Sequence, residues 1–330
     1  MQLILDTNGL AIKIRNKCFW IIGKKFQRQI SPHRISSISV TADCLVSTSA
    51  IRLAVKHGIP IYFSGRYGKT VAKLSSPNFG NIASLRRQQV LFAESIDAGK
   101  WVVDLFDWKY GNKIRLLTNL KKINPGRLED IRTAINKIED IRTSTTEVLP
   151  ATIPGIRSTL LGKEGSAARI YWQTISSILP PEWQFEKRSR RPAKDPFNAT
   201  LNYLYGMMYG VVDGAVMAAG LDPYLGFFHT DDYKRPTLVF DLIEPFRPWI
   251  DALLLDFIFD QKLLPTQFDF NEEGVRIGKA AKSIVIPLFY EYINQSIRFR
   301  NKQLSRKNHI YRFVGEFAKM LLEWNKTETL

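Results

Sequence analysis

The chain has 330 residues and carries 47 Lys+Arg against 31 Asp+Glu, a net charge of +16 and a pI of about 9.8. Its 45% hydrophobic and 12% aromatic content fills a packed core, which excludes a disordered or low-complexity chain, and no solenoid or collagen-like period is present. The positive surplus points to a polyanion, nucleic acid first and an anionic membrane second, with an ordinary basic soluble protein as the plain alternative.

In chain order, the first 80 residues read as β-rich. Runs of β-branched and aromatic residues at 2–6, 10–15, 19–23, 26–30 and 35–41 predict strands, punctuated by turns at Asn8-Gly9 and Asn16-Lys17. Residues 47–57 shift to helical spacing, with Ala50, Leu53, Ala54 and His57 on one side, and strands follow at 59–63 and 70–74. After a short linker at 75–80, helical spacing predominates: 82–98, 100–121, 127–147, 154–179, 198–220, 236–260 and 272–325, the last broken at Pro287. The fold class expected is α+β, a small β-rich domain at 1–78 followed by a large α-helical domain at 79–330.

Two segments imitate other functions. Gly65-Arg66-Tyr67-Gly68-Lys69-Thr70 has a P-loop ending, but Phe63 stands where the first glycine belongs and a strand follows instead of a helix, so a nucleotide-binding loop is rejected. Residues 203–221 are nearly apolar over the length of a bilayer, yet Asp213 sits mid-segment. A buried helix of a soluble bundle is expected there, with no membrane span. Gly206, Gly210 and Gly214 recur every four residues on one face, a stripe that allows another helix close approach. Cys18 and Cys44, the only two cysteines, form no CxxC pair, which excludes zinc fingers and a disulfide framework. With no signal-peptide pattern at residues 1–10, free thiols and a cytoplasmic location are expected.

The charge is uneven. Residues 1–80 hold twelve Lys/Arg and two acids, hence +10, and the remaining 250 residues contribute +6 of the +16. Two further basic runs stand out, 187–191 and Arg298 to Arg312, the second interleaved with Phe299 and Tyr311. Together they favour phosphate binding over a merely solvated face.

Of four histidines, only His229 has carboxylates nearby: Asp231 and Asp232 just after it, then Asp241 and Glu244 three residues apart in an apolar segment. Residues three apart share a helix face. Buried acids there need a cation, either a divalent metal or an arginine such as Arg247, and the segment alone leaves a metal site and a salt-bridged helix start equally open. Glu164, among the small residues of Gly162-Lys163-Glu164-Gly165-Ser166-Ala167-Ala168-Arg169, is the best candidate for a third carboxylate, although spacing does not bring it to His229.

Several segments in order then become recognisable: the stretch at 162–169, Asp195-Pro196-Phe197-Asn198 leading to Asn202-Tyr203, Gly220-Leu221-Asp222-Pro223 with Gly226-Phe227-Phe228-His229, and Asp241-Leu242-Ile243-Glu244-Pro245-Phe246-Arg247-Pro248. Over its whole length the chain resembles the CRISPR-associated integrase, a metal-dependent DNA endonuclease that inserts spacers during adaptation. The resemblance implies Glu164, His229 and Glu244 as ligands of Mg²⁺ or Mn²⁺, with Asp241 as a further ligand or an orienting neighbour. It implies double-stranded DNA as substrate, a homodimer joined through the β-rich domain, and a small ferredoxin-like CRISPR partner protein. Arg169, Lys234, Arg235 and Arg247, close in sequence to these residues, are expected DNA contacts. A structure-specific nuclease for branched DNA and a non-catalytic DNA-binding scaffold are the competing readings, with a basic membrane-associated protein behind them.

Overall fold

Apolar–polar alternation sets the first unit, Met1–Asn81, in a computed structural model that describes residues 2–24, 26–35, 37–64, 70–74, 83–123, 125–229 and 235–324. The strands are β1 (Gln2–Leu5), β2 (Ala11–Arg15), β3 (Cys18–Ile22), β4 (Gln27–Ile30), β5 (Ser37–Val40) and β6 (Leu45–Val46). After helix α1 (Thr48–Lys56) come β7 (Ile61–Ser64) and β8 (Thr70–Leu74). Asn16 and Lys17 sit at φ 50° and 58°, the left-handed pair that a tight β2–β3 hairpin requires. One sheet has the order β1-β5-β7-β8, with β5 parallel to both neighbours; the other has the order β4-β3-β2-β6. Leu5, Ile38 and Ile61 of the first and Ile12, Phe19 and Ile21 of the second share one core with Ala50 and Ala54 of α1. Lys13, Arg15, Arg28, Arg52 and Lys56 remain at the surface. Cys18 and Cys44 are free. The strand after the Gly-Lys pair is present as β8; residues 65–69 of the rejected P-loop and the linker at 75–80 lie outside the described residues.

The second unit, Ile82–Leu330, is mostly helical: α2 (Ala83–Ala93), α3 (Ile96–Ile123), α4 (Leu128–Thr146), α5 (Ile153–Ile178), α6 (Pro196–Ala219), α7 (Thr237–Ile243) and α8 (Arg247–Phe259). A hairpin of β9 (Phe268–Asn271) and β10 (Gly274–Ile277), α9 (Lys279–Asn294), a second hairpin of β11 (Ser296–Phe299) and β12 (Lys302–Ser305), and α10 (Arg306–Glu323) complete it. Local chemistry sets the boundaries. Ser95 Oγ accepts the Ala98 N–H at 3.1 Å and separates α2 from α3. Asp195 accepts the Asn198 N–H at 2.7 Å with Pro196 in the first turn, and Gly220 at φ 85° closes α6. Gly99 is where α3 meets the chain before α5: a Cβ there would lie 1.9 Å from the Ala151 carbonyl oxygen, so only glycine fits.

The structure corrects three expectations. Residues 272–325 are not one helix broken at Pro287. Pro287 lies inside α9, and the interruption is the β11–β12 hairpin, turned by Arg300 and Asn301 at φ 47° and 57°. The glycine stripe of α6 brings no neighbouring element close at Gly206 or Gly210, where a Cβ would meet nothing within 4 Å. The basic run at 187–191 is not wholly available to bind phosphate. Arg188 turns inward, donating to Asn198 and, at 2.9 Å, to Asn202, with its guanidinium 5.4 Å above the Trp172 ring. Among the described residues no helix is long and apolar enough to cross a membrane.

Candidate active site

The site is organised by α3, which packs against α4, α5, α8 and the turn Glu244–Phe246. Its inward face carries Phe106, Tyr110 and Leu117 together with three buried polar residues, Lys109, Asn112 and Lys113. Asn112 donates to the Pro245 carbonyl at 2.7 Å, which fixes the turn at the end of α7 where Glu244 stands. Lys109 reaches between two helices. Its ammonium lies 2.5 Å from Glu164 Oε1, on α5, and 2.7 Å from Glu244 Oε2. The two carboxylates that the sequence leaves unconnected therefore share one cation.

Glu244 is buried and flanked on its other side by Arg247, whose Nε donates to Oε1 at 2.7 Å while Nη2 donates to the Tyr209 hydroxyl at 2.8 Å. Burial works against the carboxylate's charge, but Arg247 and Lys109 outweigh it and hold its pKa well below the usual carboxylate range. Burial likewise opposes the Lys109 ammonium, and Glu244 and Glu164 overcome it and raise its pKa. Glu244 Oε2 has an ion-pair partner but receives no well-directed hydrogen bond. A buried acceptor in that state has capacity for a further ligand.

His229 is set by Asp241. Asp241 Oδ2 accepts the N–H groups of Phe227 and Phe228 at 2.7 and 3.1 Å, and Oδ1 accepts the His229 N–H at 3.0 Å and its ring Nδ1 at 2.6 Å. A carboxylate at Nδ1 accepts, so the proton sits on Nδ1 and Nε2 keeps its lone pair. The ring is 35% exposed while Asp241 is closed off, so the lone pair is reachable. Gly226 permits this loop: a Cβ there would come within 2.6 Å of Thr237 and 2.9 Å of the His229 carbonyl.

Two carboxylates and an imidazole nitrogen form an N/O donor set suited to a divalent ion, and Oε2 of Glu244, which faces the Lys109 ammonium and receives no well-directed hydrogen bond, fits the same purpose. In the present arrangement no three His, Cys, Asp or Glu side chains among the described residues converge as a finished cage. The Lys109 ammonium lies between Glu164 and Glu244. The four hydrogen bonds at Asp241 occupy both its oxygens, which makes it an orienting group more than a ligand.

A model of the CRISPR associated protein Cas1 family matches residues 3–291. The chain belongs to the Cas1 family. It is 29% identical over 317 residues to a CRISPR-associated endonuclease Cas1 of Archaeoglobus fulgidus, covering 92% of each chain. Its fold superposes on a Cas1 protein from Thermotoga maritima with a TM-score of 0.83 at 20% identity, over 98% of this chain and 97% of that one. At a TM-score of 0.78 and 20% identity it also matches a casposase bound to its integration product, over 98% and 91% of the two chains. A chain of a Cas6-RT-Cas1–Cas2 complex gives the same score and identity, with 98% of this chain and 35% of that one covered. The β-rich unit followed by a mostly helical one is thus the Cas1 fold, and family membership supports a nuclease or integrase role.

The remaining expected residues scatter. Arg169 is exposed on α5, one turn and a half beyond Glu164, and Arg235 is exposed just before α7. Lys234, with Asp231 and Asp232, lies outside the described residues. Of the two roles expected for Arg247, the structure shows the counter-cation and not a surface DNA contact: it pairs with Glu244 and is 15% exposed, with the rings of Tyr205 and Tyr209 at 4.8 and 5.5 Å. Sequence reasoning missed Lys109, Asn112 and Lys113, although their spacing on an otherwise apolar helix face was a usable signal. It also missed Asp251, buried between the hydroxyls of Tyr171 at 2.7 Å and Tyr205 at 2.5 Å.

Lys113 is a cost built into this region. Burial and the adjacent Lys109 charge push its pKa down to about 8, with its ammonium 4.7 Å from the Tyr171 ring. It binds its proton more weakly folded than unfolded, so stability rises with pH from about 8 towards the ordinary lysine value of 10.5. Lys113→Met is expected to stabilise the fold at pH 7 by about 1–3 kcal/mol and to flatten that rise. Urea denaturation at pH 7 and pH 10 checks it; lower stability at both would contradict it.

Proposed function

We propose that the chain is a metal-dependent DNA endonuclease and integrase that inserts DNA into a CRISPR array by transesterification. The observation that carries this reading is the shared cation position of Glu164 and Glu244, with His229 held beside it in a fixed tautomer by Asp241. Glu164, Glu244 and His229 Nε2 would hold Mg²⁺ or Mn²⁺, the imidazole inclining the set towards Mn²⁺. Such an ion would polarise the scissile phosphate and stabilise oxygens that gain charge. In the reaction a DNA 3′-hydroxyl loses its proton and forms a new phosphodiester, while the target's 3′ oxygen leaves and takes up a proton.

The chain's own residues do the placing. Arg247 fixes one oxygen of Glu244 and leaves the other to a ligand. Asn112 fixes the turn that carries Glu244. Exposed cations, among them Lys13, Arg15, Arg28 and Arg169, would hold DNA through its backbone, without reading sequence and with strong salt dependence. A homodimer joined through the β-rich unit and a small ferredoxin-like partner protein belong to the same proposal. They rest on family membership, and the free edges of two small sheets are compatible with pairing between subunits.

The test incubates the protein, with and without its partner, with supercoiled plasmid, short duplexes bearing free 3′-hydroxyls, and Mg²⁺ or Mn²⁺. Metal-dependent covalent joining that stops when the 3′ ends are blocked is the expected result. Cleavage of branched DNA without joining would favour a structure-specific nuclease, and binding without metal-dependent chemistry a DNA-binding scaffold.

A further inference from the structure

We propose that Lys109 is the resident counter-cation of the Glu164–Glu244 pair, and that a divalent metal takes the two carboxylates only by displacing its ammonium. The inference rests on the metal-site reading above and adds to it a competitor supplied by the chain itself. Its basis is geometric. One ammonium, 4% exposed, lies within ion-pair distance of a carboxylate on α5 and of another on the turn after α7. It thereby ties three elements together at one point. The ammonium, at 2.5 and 2.7 Å from the two carboxylate oxygens, lies between the groups that a shared metal ion would have to bridge.

The surroundings suit an exchange. Glu244 keeps Arg247 on Oε1 whichever cation it faces on Oε2, so it remains compensated throughout. Glu164 is 26% exposed, which leaves a path from solvent to the gap. Lysine carries its charge on a flexible four-carbon stem and can move it without moving the helix. The ammonium lies 5.2 Å from the centre of the Phe106 ring, and Asn112 anchors the turn of Glu244 independently of it. The expected behaviour is a site that holds its shape without metal and binds metal more weakly than its donor atoms alone would allow.

The experiment measures Mn²⁺ binding by calorimetry and melting in EDTA for the full chain, Lys109→Met, Glu244→Gln and the double variant Lys109→Met/Glu164→Gln. Lys109→Met should melt about 5–10 °C lower without metal, because buried Glu244 and half-buried Glu164 lose a shared cation. It should also bind Mn²⁺ about ten- to a hundredfold more tightly, since a competing charge is gone. A merely structural lesion would weaken metal binding. The double variant should regain most of the metal-free melting temperature, which keeps the test decisive should Lys109→Met fold poorly. Unchanged melting in EDTA, or Mn²⁺ affinity equal to or weaker than wild type, overturns the proposal while leaving the metal site intact. If neither wild type nor Lys109→Met binds Mn²⁺, or if Glu244→Gln binds it as wild type does, the site reading falls and this inference with it.

Discussion

Glu244→Gln is expected to abolish metal-dependent joining, by at least about 10³-fold, while DNA binding at low salt changes little. Glutamine has the shape of glutamate and keeps one oxygen, so packing around the turn Glu244–Phe246 survives. It removes the charge that faces Lys109 at 2.7 Å and Arg247 at 2.7 Å. Lys109 then keeps one carboxylate, Glu164, while Arg247 loses the one it pairs with, and stability should fall by about 3–5 kcal/mol. The pH dependence separates this from a generic lesion. The Glu244 pKa is depressed below its ordinary value of 4.5 by Arg247 and Lys109 acting against burial. Its contribution to stability is therefore fully present above pH 4.5 and is lost only as the pH falls towards the depressed value. The variant should lack that acid limb and lose stability evenly from pH 5 to 8. Plasmid-joining assays, filter binding and urea denaturation across pH check the three parts; joining retained within tenfold would remove Glu244 from the site.

Much of this architecture is legible in the sequence, and the parts that are not share a cause. The strands β2 and β3 announce themselves because β-branched and aromatic residues, Ile12, Ile14, Phe19, Trp20 and Ile21, flank an Asn-Lys turn. The start of α6 is written in Asp195-Pro196 and its end in Gly220. Such signals are local, and a local signal survives in a single sequence. β6 does not, because two residues form a strand only through pairing with Ala11 and Ile12 of β2. The β11–β12 hairpin hides because the apolar residues that flank it continue helical spacing on both sides, and its turn residues, Arg300 and Asn301, are not glycine. Glu164, His229, Asp241 and Glu244 are visible as residue types, since acids and a histidine in apolar or small-residue segments demand an explanation. Their mutual placement is not. Lys109 is the clearest case: a lysine in a helix ordinarily reads as solvated, and only the packing of α3 against α5 and the turn at Glu244 turns it inward between two acids. The charge division has the same character. Residues 1–80 carry +10 of the +16, yet the cations paired with the candidate-site carboxylates, Lys109 and Arg247, belong to the less basic unit.

Asp241→Asn should separate orientation from ligation. Asparagine is isosteric and buried in the same place, but it offers one acceptor oxygen where the aspartate offers two. At present Oδ2 accepts two backbone N–H groups and Oδ1 accepts one more with the His229 ring. An NH₂ group at either position faces donors. If it faces Phe227 and Phe228, two buried amides lose their acceptor and the loop from Gly226 to His229 loosens. If it faces His229, Nδ1 becomes the acceptor, the proton moves to Nε2, and the nitrogen meant for a ligand loses its lone pair. Either outcome weakens the site without touching the two glutamates. The expected loss is about 10–100-fold in Mn²⁺ affinity and about 10²–10⁴-fold in joining rate, with about 1–3 kcal/mol of stability from the unpaired amides. Nitrogen chemical shifts of the His229 ring report its tautomer directly, and calorimetry reports the metal. Retention of the Nδ1–H tautomer together with wild-type affinity would show that Asp241 serves only the backbone loop. Loss of all Mn²⁺ binding, as deep as for Glu244→Gln, would instead make Asp241 a ligand, a role its four hydrogen bonds argue against.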